Sequence, residues 1–120
     1  MSSLSKKSYV DKNAITLLEA SQGGVVSTLY AADNSKKIKN VILIFPAFVL
    51  FDDVKETYAT LGVSSTKEIP KVITHQNARL GGVYLRDALR ININQEIKKV
   101  KSPVLIIQGQ MMTLYRIVMR

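Results

Sequence analysis

Three short runs along the chain are apolar without alternation: Ala14-Ile15-Thr16-Leu17-Leu18, Val41-Ile42-Leu43-Ile44-Phe45 and Val104-Leu105-Ile106-Ile107. Each is rich in β-branched residues, and a continuous run of this length suits a strand whose sheet is covered on both faces. The pattern predicts three buried parallel strands. Parallel neighbours need long crossover connections, and the chain supplies them. Gly23 to Asp33 carries Val25, Val26, Leu29, Tyr30 and Ala32 at helical spacing. Val83 to Ile91 repeats that spacing, Asn94 to Val100 offers a second short amphipathic piece, and Pro103 marks the start of the third strand. Between Phe51 and Gly82 the pattern breaks down, with Thr, Ser and Lys mixed irregularly among single apolar residues around Pro70. An excursion of that length is read as an irregular, lid-like insertion. The expected fold class is α/β, about three parallel strands with crossover helices in one domain over 1–120. Within it 14–50 is strand, turn, helix and strand, 51–82 is the insertion, and 83–110 holds the helices and last strand.

Composition sharpens this reading by exclusion. In 120 residues, 47% are hydrophobic and 22% charged, which is the balance of a folded domain rather than a disordered chain. There is no cysteine, so disulfides and thiolate metal sites are excluded, and the one histidine, His75, leaves little for an imidazole site. No metal and no cofactor are expected. No apolar run approaches the ~20 residues of a membrane helix, and the first fifteen residues lack the apolar stretch of a signal peptide. The expectation is a cytoplasmic chain without a membrane partner.

Charge is uneven. Residues 1–60 carry seven Lys/Arg against six Asp/Glu, whereas residues 61–120 carry ten against three. A basic half raises the question of nucleic acid. The aromatic share is only 7% with no tryptophan, and the cations are scattered among apolar positions. Salt-sensitive sticking is expected, not specific nucleic-acid recognition.

One motif carries chemistry. Glu19-Ala20-Ser21-Gln22-Gly23-Gly24 follows the first strand directly and opens the first helix. A serine on a tight strand-to-helix turn is the context of a nucleophile elbow, G-x-S-x-G. Such a turn lifts the hydroxyl above the sheet, and the helix start aims free N–H groups and its positive end at the same spot. Gln22 would offer one backbone N–H to an oxyanion. Gly23 and Gly24 let the turn tighten, but Glu19 stands where the pattern has a glycine, and its side chain is expected to crowd the turn. The plainer role for Ser21 is a helix N-cap.

Taken in order, these segments resemble the middle of an α/β-hydrolase, close to the bacterial cinnamoyl/feruloyl esterase type. Tyr9 to Leu18 is similar to the approach to that family's fifth strand, and Ser21 to Val26 to its elbow and helix. Ala31-Ala32-Asp33 with Ile38 to Ala47 resembles the sixth strand and its Pro-Ala exit. Leu80 to Ala88 resembles the return from the lid, and Lys101 to Gly109 the seventh strand. The likeness implies ester hydrolysis by a Ser–Asp–His triad, with Ser21 as nucleophile and the Gln22 N–H in the oxyanion hole. It places the acid at Met112, which cannot hold an imidazole, and the histidine beyond Arg120. His75 falls in the insertion, where a loop residue is the expected role rather than a relocated base. Asp52 and Asp53 follow the sixth strand as a turn or helix start, and an alternative catalytic acid is the less favoured role. Asp87 with Arg86 and Arg90 reads as surface pairing, and Met111 carries no cofactor role. The resemblance therefore implies a truncated or degenerate serine ester hydrolase, inactive alone, whose substrate if active is a small-molecule ester. The competing expectation is an interaction remnant that pairs open sheet edges with another copy or with a complementary hydrolase fragment.

Overall fold

The computed structural model describes residues 1–75 and 77–109. These group into two compact units, one built from 1–48 together with the stretch from Asn94 onward, the other from Val49–Ile93.

In the first unit a short helix α1 (Ser2–Ser5) precedes strand β1 (Thr16–Ala20), helix α2 (Ser21–Asp33) and strand β2 (Asn40–Ile44). Helix α5 (Ile93–Lys98) then leads into strand β5 (Val104–Ile107). The three strands form one parallel sheet in the order β1-β2-β5. Leu17 is level with Val41 and Val41 with Val104, while Leu18, Ile42 and Leu105 form the next row. Parallel rows put level side chains on one face. Val41 and Leu43 of the central strand are 1% and 2% exposed, and with Ala31 and Ile38 they make the core of this unit. Helix α2 reaches the sheet through small residues: Gly24, Ser27, Thr28, Ala31 and Ala32 are buried beside Val25. Thr28 spends its hydroxyl on the Gly24 carbonyl at 2.8 Å, so burying it leaves no orphan donor.

The strands were expected to be covered on both faces. None meets it fully: β2 buries Val41 and Leu43 but leaves Ile42 and Ile44 half-buried on the other face, and β1 and β5 are edges among the described residues. All four residues of β5 are exposed, as are four of the five in β1. Hydrophobicity alone predicts a strand wanting neighbours; it does not supply them.

The second unit corrects the reading of 51–82 as irregular. Its first part is an ordered helix α3 (Leu50–Leu61), followed by a 3₁₀ turn (Thr66–Glu68) and an antiparallel hairpin of β3 (Val72–His75) and β4 (Ala78–Gly81). Helix α4 (Gly82–Arg90) completes it. Apolar contacts organise α3: Phe51 and Val54 are buried, and Leu50, Tyr58 and Leu61 pack around Val54, Ile69, Ile73, Leu85 and Ala88. Asp52 and Asp53 occupy the first turn, where carboxylates oppose the positive helix end, and Gly62 closes the helix at φ 66°. Strand β3 alternates, with Ile73 and His75 inward and Val72 and Thr74 outward. Arg86 ties the unit together, donating from Nε to the Thr66 carbonyl and from its terminal nitrogen to the Ile69 carbonyl, each at 3.2 Å. Of the pairing expected on α4, Asp87 meets Arg90 at 3.9 Å on an exposed surface, whereas Arg86 is engaged elsewhere. Burial pushes the Tyr84 hydroxyl above its usual pKa, and the charge of Asp53 adds to the rise.

Candidate active site

Strand β1 ends at Ala20, whose backbone is still extended (φ −118°, ψ 155°), and the next residue is already helical. Ser21 makes that reversal at φ 53°, a left-handed conformation that side chains with a Cβ resist. Its carbonyl accepts the N–H of Ala47 at 3.0 Å, tying the start of α2 to the exit of β2. Ala20, not Ser21, stands at the N-cap position, and no side chain caps the helix there. The plainer role for Ser21, a cap, is therefore not what its position serves.

Close approach is what the two glycines permit. A Cβ on Gly24 would lie 3.1 Å from Pro46 Cβ and 3.3 Å from its Cα, so a side chain there would press α2 away from the β2 exit. A Cβ on Gly23 would meet Glu19 Oε2 at 2.7 Å. Glu19 thus lies across the first turn of α2, and the room expected from a glycine at 19 is provided by the glycine at 23. Gln22 is exposed in the first turn, where backbone N–H groups lack partners within the helix.

A second strained residue sits one strand over. Phe45, just past β2, has φ 37°, and its N–H donates to the Ile107 carbonyl at 2.9 Å. Two adjacent parallel strands therefore end in left-handed, non-glycine residues at the carboxyl edge of the sheet. That edge is where open α/β sheets bind ligands, and strain of this kind concentrates at functional sites. The strain at Phe45 left no sequence signal beyond the Phe-Pro-Ala that follows the run.

The remaining residues singled out from sequence fall elsewhere. His75 belongs to the second unit and is 7% exposed, not a loop residue: it ends β3, shares a 2.8 Å hydrogen bond between Nδ1 and Thr57 Oγ1, and has its ring centroid 6.0 Å from that of Tyr84. Asp52 and Asp53 serve the start of α3 in the same unit. Met111 and Met112 lie outside the described residues. Among the described residues no group of three or more His, Cys, Asp or Glu could hold a metal ion, and no helix is long and apolar enough to cross a membrane.

A parallel sheet with a strand running straight into Ser21 and a crossover helix is a partial α/β-hydrolase fold. The chain is similar in structure to Est1E from Butyrivibrio proteoclasticus, with a TM-score of 0.74 and 29% sequence identity over 90% of this chain and 44% of Est1E. Against the same protein solved with ferulic acid bound, the TM-score is 0.70 at 28% identity, covering 88% of this chain and 42% of that one. The chain thus spans less than half the length of the solved structures it resembles. No family model matches the chain, and no curated protein matches it in sequence. The resemblance read from the residues, to hydrolases of the cinnamoyl/feruloyl esterase type, holds at the level of fold.

Proposed function

We propose that this chain is the nucleophile-bearing part of a serine carboxylic-ester hydrolase, degenerate at the position of its catalytic acid and without efficient turnover alone. The observation that carries the reading is the left-handed backbone of Ser21 at the junction of β1 and α2. In the proposed chemistry Ser21 Oγ attacks the acyl carbon, the Gln22 N–H receives the oxyanion, and the alcohol leaves with a proton as the acyl-serine forms. Ferulic acid bound to Est1E makes aryl-propenoic esters the substrate class to try first. Support for low turnover comes from the methionine at 112, where the likeness places the acid, and from His75 being engaged by Thr57 rather than free to serve Ser21. Loss of triad members in serine hydrolases costs several orders of magnitude, leaving what the oxyanion hole and binding supply.

The test is hydrolysis of p-nitrophenyl acetate and labelling by a fluorophosphonate, both beside Ser21→Ala. Slow single-turnover labelling that vanishes in Ser21→Ala is expected, with no sustained turnover. Sustained turnover that requires Ser21 would sink the degenerate reading, and labelling that survives Ser21→Ala would sink the nucleophile assignment.

A second reading, an interaction remnant, is favoured by one observation. Leu18, Leu105 and Ile107 share a sheet face and are 57%, 56% and 48% exposed, on strands that are both sheet edges. Exposed apolar edges recruit other chains, whether a second copy or a complementary hydrolase fragment. Sedimentation velocity of the purified chain is expected to show dimers or larger species that Ile107→Lys reduces to monomer. A monomer at every concentration would remove this reading.

A further inference from the structure

At the amino ends of β1 and β2, opposite the edge that carries Ser21, the first unit holds a cavity of about 230 Å³. Lys12 and Asn13 reach it from the turn before β1, and Lys36 and Lys37 from the turn after α2. Its apolar part is Ile15, Tyr30 and Met1, the last from the segment of α1 that also lines it with Ser2 and Ser5. None of the residues around it is acidic. Of the carboxylates nearby in sequence, Asp11 accepts the Asn13 N–H at 2.9 Å. None of the three lysines takes part in the two ion pairs found among the described residues. Cations just past a helix carboxyl end are favoured by the helix dipole, which accounts for Lys36 and Lys37. It does not account for Lys12, which comes from a different segment. Three cations around one cavity that has no carboxylate in its lining favour an anion there.

We propose that this cavity binds a small phosphomonoester, its dianionic phosphate held by Lys12, Lys36 and Lys37 and its apolar body lying on Ile15 and Tyr30. The phosphate, not a carboxylate, fits because three cations meet two negative charges and three acceptor oxygens, and lysine suits phosphate as a point charge. The volume lies below the roughly 300–1,000 Å³ of drug-sized sites, which limits the body to about one ring.

The test is isothermal titration of the full chain with phenyl phosphate and, separately, inorganic phosphate. Phenyl phosphate is expected to bind at sub-millimolar concentration, about tenfold tighter than inorganic phosphate, and more weakly as salt is raised. Lys12→Gln, and independently the Lys36→Gln/Lys37→Gln pair, are each expected to weaken binding about fivefold, in the range of exposed charge contacts. Lys101→Gln, an exposed lysine outside the cavity, is expected to change nothing. Circular dichroism on each variant checks that it is folded. Absence of binding, an equal loss in Lys101→Gln, or inorganic phosphate binding as tightly as phenyl phosphate would each overturn the proposal.

Discussion

Alanine at Gly82 is expected to unfold the 49–93 unit. Gly82 opens α4, and its N–H donates to the Lys71 carbonyl at 2.7 Å. A Cβ there would fall inside the carbonyl oxygen of Pro70 and 3.0 Å from Ile69 Cγ2. The first obstacle is backbone, so no side-chain rotation relieves it. The segment cannot drift away either, because Arg86 holds the Thr66 and Ile69 carbonyls to α4. Overpacking against fixed backbone costs about 3 kcal/mol. A core of five buried residues, Val54, Ile69, Ile73, Leu85 and Ala88, leaves little margin for that loss. Hydrogen exchange on Gly82→Ala should show amides of 49–93 losing protection while those of β2 keep theirs. Gly62→Ala is the comparison: nothing lies within 4 Å of a Cβ there, so only about 1 kcal/mol of left-handed backbone is at stake. Equal behaviour of the two variants would refute the close packing of α4 on the 69–71 segment.

Glycine at position 21 is expected to stabilise the chain while removing its proposed chemistry. Ser21 holds φ 53° against the clash that any Cβ suffers there. Glycine reaches that conformation freely, and after its extra unfolded-state entropy the net gain is about 1 kcal/mol. In a small domain this raises Tm by about 4 °C. Ser21→Ala keeps its Cβ and should gain nothing, although it too loses fluorophosphonate labelling. Thermal unfolding of the two variants side by side separates backbone strain from loss of the hydroxyl. Matching Tm values would mean that the left-handed turn costs the protein nothing.

How far the sequence can be read depends on which physical signal each element writes into it. The three strands were legible because continuous β-branched runs have few other uses, and the structure puts them within two residues of the expected limits. The turn at Ser21 was legible because serine, two glycines and an abrupt change of period coincide there. Helix α3 was missed although its apolar residues recur at Leu50, Val54, Tyr58 and Leu61; the polar Asp52, Asp53, Lys55, Glu56 and Thr57 between them diluted the stripe. The hairpin was missed because four-residue strands carry only two inward positions each, here Ile73 and His75 in β3. His75 was misplaced for the same reason: a histidine in a loop and one at an inward strand position look alike until Thr57 is brought alongside. That Glu19 lies against Gly23 is a relation between positions that a linear pattern does not record.

The order of strands also constrains how the sheet can be made. β1 and β2 are joined through α2 and meet with Leu17 beside Val41, a separation of about two dozen positions. β5 meets β2 with Val104 beside Val41, about 60 positions away, with the whole 49–93 unit between. Closing the longer loop costs about 1 kcal/mol more in chain entropy, and non-local parallel pairing is slow. A contiguous 49–93 unit that folds first shortens the free chain to be closed. During synthesis β1, α2 and β2 emerge and can pair long before Val104 is added, so β2 waits with one edge open. That waiting interval, rather than the finished sheet, is when an unpaired edge of β2 is most open to wrong partners.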